Sequence, residues 1–148
     1  MREVKELMMV YGIEFQLHSE RLDSENSRLV LLDQLGELNG YYAKACLAFI
    51  GGSFNPRFGG QNIIDPASYR LPVVFGMHMN NFEEESRLLI ESGGGIQIKN
   101  PKELYGVLNQ LLADQETRKN LGEKAWETVI KNRGAVNKTI ELISRLAN

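Results

Sequence analysis

An α/β fold with a Rossmann-like, mainly parallel sheet flanked by helices is what this sequence predicts, and three features predict it. Apolar runs alternate with amphipathic stretches from one end to the other, as βα units require. The middle apolar runs have no polar face, which fits strands covered on both sides. The stretches between them carry apolar residues at helical spacing. With 148 residues, 43% of them apolar, the chain suffices for one core and not comfortably for two, so residues 1–148 are read as a single domain.

The opening stretch MREVKELMMVYG reads as a helix, so the alternation starts in mid-unit. A doubly wound domain normally opens with a strand. The expectation is therefore a fragment of a longer protein that lacks its first strand. Short strands follow at Ile13 to His18 and Leu29 to Leu32, with the polar segment Ser19 to Ser27 as a loop between them. Three more are expected at Leu47 to Ile50, Pro72 to Phe75 and Ile96 to Ile98. A helix from about Asn81 to Ser92 sets Met79, Phe82, Ser86, Leu89 and Ile90 along its inner side, and Gly93 stops it.

The next helix begins at Pro101, where a missing N–H costs nothing, and lines up Leu104, Val107, Leu108, Leu111 and Leu112. Beyond Asp114 the pattern is helical, with Leu121, Ala125 and Val129 on one stripe and Val136, Ile140 and Ile143 on a second. The break at Asn132-Arg133-Gly134 makes residues 115–148 two terminal helices that meet at a glycine bend and pack on the domain.

Bulk chemistry narrows the function. A net charge of -2 with interspersed signs leaves no basic stripe for a nucleic acid, although a nucleotide-sized ligand remains open. The single cysteine, Cys46, cannot form an internal disulfide and is expected in the core of an intracellular protein. No apolar run approaches the roughly 20 residues of a membrane span, and the N-terminus has no signal-peptide core.

Ligands of open α/β sheets collect at the carboxyl ends of strands. The loop after Leu47 to Ile50 is the most unusual of these, reading GGSFNPRFGGQNIIDP from Gly51 to Pro66. Gly59 and Gly60 permit close backbone approach of a phosphate, and the Asp65 carboxylate offers two acceptors to a ribose diol. An ordinary long turn accounts for the glycines equally well, and Asp65-Pro66 is a standard helix start with aspartate as N-cap. Leu35-Gly36-Glu37, after Leu29 to Leu32, is expected to present a helix N-terminus with free amides.

His78 lacks partners at metal spacing and is read as structural. Glu83, Glu84 and Glu85 are read as first-turn carboxylates behind a capping Asn81, and Gly93-Gly94-Gly95 as a helix stop. No serine, cysteine or histidine sits in a nucleophile motif.

Taken in order, LDQLGEL at Leu32–Leu38, AFIGGS at Ala48–Ser53, GGQNIIDPA at Gly59–Ala67, PVVFGMH at Pro72–His78, Asn80-Asn81-Phe82 and Asn132-Arg133-Gly134-Ala135 resemble the C-terminal half of the Kdo transferases. These enzymes add 3-deoxy-D-manno-octulosonic acid to lipid A precursors in lipopolysaccharide biosynthesis of Gram-negative bacteria. The resemblance implies the C-terminal, donor-binding domain of a GT-B glycosyltransferase. It implies CMP-Kdo as donor substrate, a lipid A precursor as acceptor, and neither cofactor nor metal.

The same resemblance implies that Leu35, Gly36, Glu37, Asn62, Ile63, Ile64 and Asp65 touch the CMP moiety, with the Gly59 and Gly60 amides assisting. It puts the general base and the membrane contact in an N-terminal domain outside this chain. The parent enzyme would then work at the cytoplasmic face of the inner membrane, and this chain alone would be soluble and inactive. Glutamine stands at Gln61, aspartate at Asp65 and methionine at Met77 where the family usually has histidine, glutamate and proline. Those departures keep open a related transferase with another nucleotide sugar. A non-catalytic α/β module that binds proteins through its terminal helices is the reading from a different class.

Overall fold

The computed structural model describes residues 2–20 and 28–133, and the chain divides into two compact units, residues 1–41 and residues 42–148. In the first unit, helix α1 (Arg2–Val10) is braced by an Arg2–Glu6 ion pair at 2.8 Å and has no buried residue. Strands β1 (Gln16–Leu17) and β2 (Val30–Leu31) pair in parallel with Gln16 opposite Val30. Beyond them Asp33 accepts from the Ser19 amide at 3.0 Å and the Ser19 hydroxyl at 2.6 Å. Those bonds, the hydroxyl's first, hold the Asp33 carboxyl below its ordinary value. The loop between Ser19 and Ser27 falls largely outside the described residues.

The second unit is built on a three-stranded parallel sheet in the order β3 (Ala48–Phe49), β4 (Val73–Phe75), β5 (Gly95–Gln97). Helix α3 (Ile64–Ser68) connects β3 to β4, and α4 (Glu83–Ser92) connects β4 to β5. A short helix α2 (Leu38–Tyr42) spans the division between the units. Two helices, α5 (Pro101–Ala113) and α6 (Gln115–Asn132), complete the described part.

The central strand shows why a run without polar residues appears here. Val73, Val74 and Phe75 are all fully buried. Val73 and Phe75 belong to a cluster with Ile63, Ala67, Leu89, Ala125 and Val129, whereas Val74 belongs to one with Ile98 and Leu111. Alternate side chains of β4 thus feed two cores, one shared with α3, α4 and α6 and one shared with α5.

Four strands lie inside the expected runs, while β5 starts one residue early at Gly95, which was read as part of the helix stop, and the ladders are only two or three residues long. Apolarity marks burial, which extends past the paired residues: Ile50 and Ile98 are buried beside their strands and still donate to Val74 and Phe75 carbonyls at 2.9 Å. Two parallel ladders replace the single sheet expected.

Several side chains are placed differently from expectation. Ile90 and Leu112 are exposed, because each sits at the margin of an apolar stripe and not at its centre. Cys46 is exposed too, lying before β3 begins. Asn81 does not cap α4; its side chain reaches the preceding loop instead, and a 3-10 turn over Asn80–Phe82 leads into the helix. Gly93 closes α4 in the left-handed conformation, with its amide on Ile90 and that of Gly94 on Leu89.

Helix α5 starts on an Asn100 cap bonded to the Lys102 amide at 3.0 Å, with Pro101 in the first turn. The stripe Leu121, Ala125, Val129 packs inward as expected. The bend at Gly134 and the stripe Val136, Ile140, Ile143 lie outside the described residues.

Candidate nucleotide site

The loop between β3 and α3 is tied to the loop that follows β4. Ser53 is fully buried, donates to the Ile50 carbonyl at 2.6 Å and accepts from the Gly76 amide at 2.8 Å. Its own carbonyl receives the His78 amide at 2.8 Å. At the far end of the loop, the Asn81 side chain donates to the Phe58 carbonyl at 2.9 Å and the Asn81 amide to the Gly59 carbonyl at 3.1 Å.

Gly59 and Gly60 are both buried and both have positive φ, +64° and +79°. A Cβ on Gly59 would lie 2.9 Å from the Asn81 amide nitrogen, and one on Gly60 would run into the Met79 side chain. Close packing against the 78–81 segment and the backbone turn together demand glycine. The amides of Gly59, Gly60, Gln61 and Asn62 have no hydrogen-bond acceptor among the described residues.

The start of α3 departs from the capping expected of Asp65. Asn62 Oδ1 accepts from the Ile64 amide at 2.9 Å and from the Asp65 amide at 3.4 Å, so Asn62 does the capping. Asp65 sits inside the first turn with Pro66 behind it, where the helix dipole favours a carboxylate. Ile63 is fully buried and anchors the segment in the core. Asp65 is left exposed, and its carboxylate has no hydrogen bond or ion pair among the described residues.

A cleft of about 400 Å³ opens beside Asp65, bordered by Ile64, Ser68, Glu85, Thr128 and Arg133. Tyr42 lies close enough to matter: burial first, and then the negative charge of Asp65, raises its hydroxyl pKa. Its ring meets that of Tyr69 at 5.8 Å. Tyr42 was not singled out from the sequence, Glu85 was read only as a first-turn carboxylate, and Arg133 only as part of a bend and of the family resemblance; their nearness to this cleft leaves no local sequence signal.

The remaining expected contacts lie in the first unit. Leu35, Gly36 and Glu37 form a turn directly before α2, with Leu35 wholly exposed and Gly36 at φ +93°. Glu37 is 3.6 Å from His18 Nε2, and His18 Nδ1 is 2.9 Å from the Tyr41 hydroxyl. His18 was read only as the end of a strand.

The two residues read as structural sit in different surroundings. His78 borders a separate cleft with Met77, Asn80, Glu83 and Arg87. Glu84 is bound to Arg87, which also holds Glu91; these contacts lower the Glu84 carboxyl and raise the Arg87 guanidinium. Among the described residues, no group of three or more metal-ligating side chains comes together, and no helix is long and apolar enough to cross a membrane.

No protein-family model matches the chain. Curated relatives do. The chain is 33% identical over 126 residues to a 3-deoxy-D-manno-octulosonic acid transferase of Haemophilus influenzae, covering 84% of this chain and 29% of that protein. It is 34% identical over 115 residues to the Bordetella pertussis transferase of the same name, covering 78% and 27%. With that of Chlamydia trachomatis serovar D it shares 27% over 143 residues, covering 97% and 33%. The chain therefore spans a third or less of the length of these relatives.

Among solved structures, the C-terminal CMP-Kdo binding domain of WaaA from Acinetobacter baumannii superposes with a TM-score of 0.79 at 25% identity, covering 86% of this chain and 67% of that one. In sequence and in fold, this α/β chain is homologous to the C-terminal domain of the 3-deoxy-D-manno-octulosonic acid transferases.

Proposed function

We propose that this chain is the donor-holding domain of a GT-B glycosyltransferase that moves Kdo from CMP-Kdo to a lipid A precursor in lipopolysaccharide biosynthesis. The observation that carries the reading is Asp65: Asn62 takes over the capping, so a carboxylate with no hydrogen bond or ion pair among the described residues is left at the mouth of a cleft. Such a group accepts from both hydroxyls of a ribose. The amides from Gly59 to Asn62, which have no acceptor among the described residues, supply N–H donors for a phosphate on the same segment. The solved relative described as a CMP-Kdo binding domain supports CMP as the nucleotide. Leu35, Gly36 and Glu37 are proposed as further nucleotide contacts on the family resemblance alone.

In the complete enzyme, the domain's task is to orient the donor and stabilise departing CMP by hydrogen bonds, with inversion at the anomeric carbon. The general base that activates the acceptor hydroxyl, and the contact with the inner membrane at its cytoplasmic face, are assigned to parts of the enzyme outside this chain. This scheme calls for no metal.

Titrating the chain with CMP, UMP and ADP while following backbone amide shifts tests the reading. Saturable, CMP-selective shifts at Gly36, Asn62 and Asp65 are expected. A preference for UMP or ADP points to a transferase with another donor, and no saturable response at millimolar nucleotide overturns the nucleotide reading.

A further inference from the structure

Two successive carbonyls of the glycine-rich loop end on one residue. Asn81 donates from its side chain to Phe58 at 2.9 Å and from its backbone to Gly59 at 3.1 Å, and its carboxamide occupies the space a Gly59 side chain would need. A trans peptide is planar, with its N–H antiparallel to its C=O. Binding the Phe58 carbonyl therefore fixes the direction of the Gly59 N–H, and binding the Gly59 carbonyl fixes that of the Gly60 N–H. Both point away from Asn81, and neither has an acceptor among the described residues.

We infer that Asn81 is a positioning residue that aims the Gly59 and Gly60 amides at the phosphate of a bound nucleotide. The inference rests on the nucleotide reading given above and adds a residue from the next βα loop. Asn81 touches neither base nor sugar in this arrangement. Its effect is confined to the part of the ligand that the two amides face, so it separates a nucleotide from its nucleoside. Glycines at positive φ have many alternative conformations, and without the clamp the two N–H groups lose their common direction.

Affinities of the wild-type chain, Asn81→Ala and Asn81→Ser for CMP and for cytidine provide the test, with thermal unfolding to confirm folding and amide hydrogen exchange to report on the loop. The expected result is CMP binding weaker by about tenfold in Asn81→Ala, cytidine binding unchanged, and altered exchange centred on Gly59 in the free protein, since the backbone bond to the Gly59 carbonyl survives the substitution. Asn81→Ser, which keeps a shorter donor, should fall between the two. Equal CMP affinity in wild type and Asn81→Ala overturns the inference, as does a parallel loss for CMP and cytidine, which would mark a purely structural role. A wild-type chain that binds CMP no better than cytidine removes the phosphate from the loop, and one that binds neither removes the nucleotide reading itself.

Discussion

The Gly76 amide donates to the Ser53 hydroxyl at 2.8 Å, and that hydroxyl in turn donates to the Ile50 carbonyl at 2.6 Å. One buried side chain thereby joins the ends of two neighbouring strands. Ser53→Ala leaves the Gly76 N–H buried and unpaired, so a loss of about 1–3 kcal/mol in urea unfolding is expected. Gly76→Ala should be at least as costly, because its Cβ would be driven against the Ser53 carbonyl.

Asn62 and Asp65 should separate stability from binding. Asn62→Ala removes the acceptor for the Ile64 and Asp65 amides and should cost about 1 kcal/mol. Asp65→Asn breaks no hydrogen bond within the described residues and should change stability by about 0.5 kcal/mol or less. The same substitution should weaken CMP binding, which calorimetric titration of both variants would read directly. Wild-type CMP affinity in Asp65→Asn removes the ribose contact.

Gly122→Ala should destabilise, against the usual trend. Alanine in a helix interior is normally favoured over glycine by about 1 kcal/mol. Here the added Cβ would collide with the Arg70 carbonyl, where α6 lies against the turn after α3. Arg70 has little freedom to yield: its φ is +57°, its guanidinium stacks 4.0 Å above the Trp126 ring, and it pairs with Glu123 at 3.1 Å. Overpacking of about 1–3 kcal/mol outweighs the propensity gain, and chemical unfolding would show a lower midpoint.

Acid should weaken the cap of α6. Asp114 accepts from the Thr117 hydroxyl at 2.6 Å and the Thr117 amide at 3.0 Å, bonds that hold its carboxyl below the ordinary aspartate value. A carboxyl lowered in the folded state contributes stability above its unfolded pKa and loses it as pH falls through the folded one. The stability difference between wild type and Asp114→Ala should therefore be constant near neutrality and shrink below the ordinary carboxylate range. A difference that does not change with pH would contradict the cap's ionic character.

Strand positions were legible because burial on both faces leaves an unbroken apolar run, as Val73 to Phe75 shows. Strand lengths were not, since burial of Ile50 and Ile98 outlasts the ladder. Of the two readings open for Asp65, capping fails for a local reason: Asp65-Pro66 has the composition of a helix start, but the chain enters the helix at Ile64, and Asn62 is the residue within reach of the first-turn amides. The loop's importance was visible in its glycines. What holds it was not, because the bonds of Ser53 and Asn81 each span 23 residues and leave no periodic trace.

Those two bonds decide how this loop can be moved between proteins. Transplanting residues 51–65 into another sheet would carry the glycines and Asp65 but leave Gly76 and Asn81 behind. The graft would keep the composition of a nucleotide loop and lose its shape. The transferable unit is the pair of loops after β3 and β4 together, with the strand between them as its spine.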